Sequence, residues 1–197
     1  MKIYLLRHGE TDWNKAGRLQ GHTDIPMNEN GIEQISRAGE FFAREVKHID
    51  VIISSPLVRA LKSAEIIADK IGYKKENIIV EPNFIERSFG YREGLTKEEQ
   101  ESLTEKEKDY RISDKGYAET VEDICRRGGA AIKKYVEKYW GKTILIIAHG
   151  SILKAVLTSA TKGKFSFSEG VAIFGAGELY ILEYDGNIFT VISPQNS

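Results

Sequence analysis

Four short runs, KIYLL (residues 2–6), DVIISS (50–55), NIIV (77–80) and TILIIAH (143–149), are apolar with almost no polar alternation. A strand with one solvated face alternates polar and apolar side chains. Runs like these belong instead to strands covered on both faces, as in a parallel sheet between helix layers. The intervening segments keep helical spacing. Ile32, Ile35, Gly39, Phe42 and Val46 mark one helix face, and Leu57, Ala60, Leu61, Ala64, Ile67 and Ile71 a second. Val121, Ile124, Cys125, Ala131, Ile132, Tyr135, Val136 and Tyr139 mark a longer one, with Gly128 and Gly129 permitting close approach. ELYILEY, DGN and IFTVI near the C-terminus read as a hairpin, since Asp-Gly supplies the positive φ of a tight turn. The expected architecture is a three-layer α/β/α sandwich with a mostly parallel central sheet, formed by one domain over residues 1–197.

Charge excludes some classes of partner. With 28 Lys and Arg against 29 Asp and Glu, the net charge of −1 gives no global attraction to nucleic acid or an anionic membrane. No stretch is long enough to span a bilayer, and Arg7 interrupts the first apolar run far short of a signal peptide's apolar region. The single cysteine, Cys125, forms no internal disulfide and reads as a small core residue, which fits a reducing cytoplasm.

Two of the apolar runs end alike. KIYLL runs into Arg7, His8 and Gly9, and TILIIA into His149 and Gly150. In an open α/β sheet ligands bind outside the carboxyl ends of the strands, where glycine lets backbone approach closely, so the two histidines point to a shared site. His22 and His48 lack this setting and read as loop or surface residues. A third run ends in SSPLVRA: Ser54 or Ser55 is the expected N-cap and Pro56 the first helical residue, with Arg59 leaning over the helix N-terminus. Free amides, the helix dipole and a guanidinium fork make a cradle for a phosphate dianion, which Arg7 approaches from the first strand. Glu86, between Phe84–Ile85 and a glycine-containing turn, is the candidate acid, an apolar setting being one that lets a carboxylic acid keep its proton.

These segments resemble the histidine phosphatase superfamily, the phosphoglycerate mutase-like proteins. LLRHGETDWN is similar to the family's Arg-His-Gly-Glu signature; DIPMNENGIEQ, SSPLVRALKSAEIIA, FIERSFGYREG and IIAHGS resemble its later blocks in order, from residue 3 to about 157. The resemblance implies phosphoryl transfer in which His8 attacks phosphorus, Arg7, Arg59 and His149 hold the phosphate oxygens, and Glu86 protonates the leaving group. Asn14 matches a further phosphate contact, and Gln20, Gly21 and Lys97 fall at mutase-like positions. A neutral imidazole flanked by arginines meets no repulsion from a phosphomonoester anion, so neither metal nor other cofactor is required. A zinc site on His8 and His149 is the competing reading; it lacks the usual ligand spacing and sits beside the cation of Arg7.

The chain departs from the mutase pattern. Ser88 and Phe89 stand where mutases carry His-Tyr, and no paired arginines between 95 and 115 offer to hold a phosphoglycerate carboxylate. The expected function is therefore a phosphomonoester hydrolase acting on a small phosphorylated metabolite, in the cytoplasm, without nucleic-acid or membrane partners and with a homodimer as a possible assembly. A cofactor-dependent phosphoglycerate mutase is the alternative, and a non-catalytic phospho-ligand module the third reading. KEEQESLTEKEKD (97–109), with nine of 13 residues charged, reads as a solvated helix, or otherwise as a mobile lid within 95–115. TKGKFSFSEG reads as a loop rather than part of the substrate rim.

Overall fold

The computed structural model describes residues 1–46, 48–109, 116–162, 164, 165, 167 and 174–195. Six strands form one sheet: β1 (Lys2–Arg7), β2 (Val51–Ser54), β3 (Ile79–Val80), β4 (Ile144–Ala148), β5 (Leu179–Tyr184) and β6 (Phe189–Gln195). Their order across the sheet is β3-β2-β4-β1-β5-β6. The first four are parallel to one another, and β5 runs antiparallel to both β1 and β6. The four apolar runs are therefore the parallel strands, and the C-terminal repeat of apolar residues is the hairpin. In its turn Asp185 Oδ1 accepts the amides of Asn187 and Ile188, while Gly186 takes φ 106°.

Successive side chains of each strand go to opposite faces. Ile3, Leu5, Ile53, Ile144 and Ile146 pack on one side against two helices, Val121–Lys138 and Gly150–Ala160. Tyr4, Leu6, Ile52, Leu145 and Ile147 pack on the other against Glu29–Glu45 and Val58–Ile71. Both faces are buried, which is why the strands carry no polar alternation. Gly128 and Gly129 do serve close approach: a Cβ on either would sit 3.0 Å from Ile152 Cδ1 or 2.9 Å from Ser159 Cβ.

Three local expectations are corrected. Ile32 is exposed and Val46 lies past the end of its helix, so the core face of Glu29–Glu45 is Gly31, Ile35, Ala38, Gly39 and Phe42. Pro56 does not open the third segment's helix. Leu57 is its N-cap, Val58 its first residue and Arg59 its second, and neither serine caps it. The Ser54 hydroxyl donates to the Ser55 carbonyl, and Ser55 Oγ accepts the Leu57 amide while facing His149. The charged stretch at 97–109 is not one helix: Lys97–Glu101 ends at Ser102, and Thr104 caps a further turn. Residues 110–115 of the expected lid lie outside the described residues.

Candidate active site

Three parallel strands deliver the site from their carboxyl ends. The ladder continues one residue beyond them: the His8 amide donates to Ala148 O at 3.0 Å and the Ser55 amide to Ile147 O at 3.0 Å. This fixes His8 and Ser55 on either side of His149, and the His8 and His149 rings lie with centroids 5.0 Å apart. A cleft of about 310 Å³ opens above, lined among others by Arg7, His8, Arg59 and Glu86 and farther out by Asn14, Gln20 and Gly21.

Both imidazoles are oriented by bonds that set their tautomers. His8 Nδ1 lies 2.7 Å from Gly9 O; a carbonyl only accepts, so Nδ1 carries the hydrogen and Nε2 keeps its lone pair. His149 Nε2 lies 2.7 Å from Ser55 Oγ. The Leu57 amide takes one lone pair of that oxygen, and Nε2 is the one acceptor within reach of the Ser55 hydroxyl hydrogen among the described residues, so the hydroxyl donates to Nε2 and the hydrogen of His149 goes to Nδ1. Burial, with the charges of Arg7 and Arg59, pushes His8 well below the ordinary histidine range. Burial, Arg59 and neighbouring His8 do the same to His149. Both rings are neutral at physiological pH.

The arginines are held in place but not saturated. Arg59, 1% exposed, donates from its two terminal nitrogens to Thr23 O and Gly21 O, each at 2.9 Å. Arg7 donates to Phe174 O. Burial lowers Arg59 to about 10, with Glu86 and Asp24 opposing the shift, so it stays charged at neutral pH. Arg7 is lowered for the same reason, with Glu86 and Glu178 opposing. Three buried side-chain atoms among the described residues have no hydrogen-bond partner: Arg7 Nε, Arg59 Nε and His149 Nδ1. Unsatisfied buried donors are rare and costly, and here all three belong to groups that surround His8.

The helix expected to help cradle an anion brings Arg59 to the cleft, while its first amide, Val58 N, donates to Asp24 Oδ1 at 2.8 Å. The helix that presents amides to the site is Gly150–Ala160, and these hold Glu86. Ser151 N donates to Oε2 at 3.2 Å, and Ile152 N and Arg87 N to Oε1 at 3.1 and 2.8 Å. The apolar setting expected for Glu86 is thus replaced by three amide donors, with Oε2 taking one of them and Oε1 two.

The outer residues are likewise fixed. Asn14 Oδ1 accepts from the Thr11 amide in a capping box, which leaves its Nδ2 as donor. The Thr11 hydroxyl, with one hydrogen to give, lies 2.9 Å from Gln20 Oε1 and 3.1 Å from Asn14 Oδ1. Gly21 sits at φ 56°, where a Cβ would lie 2.0 Å from Glu93 Oε1. Lys97 is not in the cleft; its side chain is 84% exposed and faces Glu101.

Sequence reasoning missed several groups. His22 is the exposed turn residue expected, but its contact was not foreseen: it donates from Nε2 to the Glu86 carbonyl at 2.8 Å. Arg127 donates to the carbonyls of Asn83, Ile85 and Glu86 and pairs with Glu119, clamping the segment that carries Glu86. Ser55, Lys154 and Phe167 also belong to the site or its rim, so the loop reading of TKGKFSFSEG fails at Phe167. None of these lies in a strand-end His-Gly pattern, the one local signal that marks the site. His48 is a surface residue beside Asp50, as expected.

A phosphatase named PhoE from Bacillus subtilis, itself uncharacterized, is 37% identical over 163 residues, spanning 82% of this chain and 78% of its own. Phosphoglycerate mutase-like protein 4 of Arabidopsis thaliana is 30% identical over 165 residues, 81% of this chain and 70% of its own. A phosphoserine phosphatase from Entamoeba histolytica, solved as a mutant in complex with phosphoserine, superposes with a TM-score of 0.80 at 25% identity, over 98% of this chain and 95% of that one. The model of the histidine phosphatase superfamily (branch 1) matches residues 3–197, and the chain belongs to that superfamily.

Proposed function

We propose that the chain hydrolyses small phosphomonoesters through a covalent phosphohistidine on His8. The observation that carries this reading is the set of three buried, unpartnered donors, Arg7 Nε, Arg59 Nε and His149 Nδ1, around an imidazole whose Nδ1 is tied to Gly9 O. A phosphoryl group supplies the acceptors those donors lack, and His8 Nε2 is the lone pair that meets it. As the Nε2–P bond forms and the ester P–O bond breaks, the departing oxygen takes a proton from Glu86 Oε2, the oxygen with one amide donor rather than two. Water then attacks phosphorus and gives its proton to Glu86, the N–P bond breaks, and orthophosphate leaves His8 neutral again. Asn14 and Gln20 line the same cleft and offer their side-chain amides as further donors.

No metal is needed in this scheme. Arg7 and Arg59 already stabilise charge on the transferring oxygens, and a divalent cation there would face two buried guanidiniums. Hydrolysis rather than isomerisation is favoured because Lys97, the cation at a mutase-like position, is turned to solvent. Phosphate release from p-nitrophenyl phosphate, unchanged by EDTA and abolished in His8→Ala, is the expected result. Loss with EDTA and recovery with zinc would contradict the metal-free scheme, and rapid formation of 2-phosphoglycerate from primed 3-phosphoglycerate would replace the hydrolase by a mutase.

A further inference from the structure

The mouth of the cleft carries a positive charge that the phosphoryl chemistry does not use. A bound phosphate dianion balances the charges of Arg7 and Arg59. Of the other cations lining the cleft, Arg18 is bridged by both oxygens of Glu99. Lys154 has no carboxylate partner among the described residues; its ammonium lies 5.4 Å from the centroid of the Phe167 ring. Phe167 is in turn approached by Arg87 at 6.0 Å, and Arg87 and Arg92 each lie 5.7 Å from the ring of Phe89. Both rings line the cleft. Phe89 and Phe167 thus line the mouth with cations against them, Lys154 from the lining itself and Arg87 and Arg92 from outside it, and Lys154 has no ion pair among the described residues.

The position of Lys154 sets the length of what it can read. It lies three residues after Ser151, whose amide holds Glu86 Oε2, so about 4.5 Å of helix rise separates them. Side chains on a helix lean towards its N-terminus, which turns Lys154 back over the cleft. We propose that Lys154, with Phe89 and Phe167, forms a second subsite that selects phosphomonoesters bearing another anionic group, a carboxylate or a second phosphate, a few bonds from the ester oxygen. The ammonium meets the charge, and the rings cover the intervening carbons.

This subsite rests on the phosphomonoesterase reading only for its kinetic consequence, since binding can be measured without turnover. The probes are 2-carboxyethyl phosphate with its carboxamide, and propane-1,3-diol bisphosphate with its monophosphate. On His8→Ala, calorimetry should give about tenfold tighter binding of the charged member of a pair, the usual strength of a charge-assisted contact. The His8→Ala, Lys154→Met double variant should bind both members within about twofold of each other, with the neutral member unaffected. The two pairs separate carboxylate from phosphate as the preferred charge. In the otherwise native enzyme the same preference should appear in kcat/KM and vanish in Lys154→Met. Equal binding of charged and neutral probes by His8→Ala, or an equal loss of both on removing Lys154, overturns the subsite. Absence of turnover with the binding preference intact would instead overturn the catalytic reading and leave the subsite standing.

Discussion

Glu86 is asked to give up a proton and later to accept one while held by the amides of Arg87, Ser151 and Ile152. Those bonds aim a carboxyl group that is itself buried, and Arg127 and His22 fix the backbone behind it. If Glu86 is the acid, Glu86→Gln slows hydrolysis of alkyl phosphates by about 100- to 10,000-fold, the range of general acid catalysis. An aryl phosphate suffers much less, because a nitrophenolate leaves without a proton. Steady-state rates for both ester types on the native enzyme and the variant check this, and an equal loss for both would assign Glu86 another task. A second test concerns the space beside Arg7. A Cβ on Gly150 would have Arg7 Nε, at 4.0 Å, as the nearest atom beyond its own helix and chain neighbours, with no other backbone in the way. Gly150→Ala should therefore leave stability within about 0.5 kcal/mol, as substitutions without a clash do, and lower kcat/KM because the methyl takes cleft space beside an unpartnered donor. Denaturant unfolding beside kinetics separates the two effects.

The elements around the site were legible in the sequence where one local rule decided them. KIYLLRHG and TILIIAHG showed both strand and strand end, because burial on two faces removes polar alternation and a ligand site follows the carboxyl edge. The cap of Val58–Ile71 was not legible. Ser55 has the right chemistry for an N-cap, but its hydroxyl is committed to His149, 94 residues away, and the first amide goes to Asp24 from another loop. Arg127 and His22 were hidden for the same reason, since their partners are carbonyls of the Glu86 segment that no spacing connects to them. The close approach at Gly9 was equally a matter of tertiary contact: a Cβ there would lie 2.2 Å from the Gly31 carbonyl oxygen, at the start of Glu29–Glu45. Backbone cannot yield as a side-chain tip can, so Gly9→Ala should cost at least about 2 kcal/mol of folding stability, measured by denaturant unfolding. A loss below about 0.5 kcal/mol, on the scale of surface changes, would mean that the two segments separate freely.

For the molecule as a whole, the buried pair of neutral histidines links folding to pH. The folded values of His8 and His149 lie well below 6.5, whereas in the unfolded chain each takes up a proton near that pH. Between the two values the unfolded state binds more protons, so stability is complete above about pH 6.5 and falls as pH drops below it, by up to about 1.4 kcal/mol per pH unit for each ring. Urea unfolding from pH 7.5 to 5 should show this slope, and His149→Asn should reduce it; a flat profile would mean that the rings take up protons while folded. The same neutrality leaves His8 Nε2 with the lone pair that the proposed mechanism requires, and Arg7, Arg59 and His149 lie around it at the strand ends. The central claim is therefore tested by quenching a single turnover of a 32P-labelled phosphomonoester within milliseconds and analysing the denatured protein. The account predicts label on His8 that is lost in acid, survives base and is missing from His8→Ala. Product release by the native enzyme with no labelled protein at any quench time would contradict it.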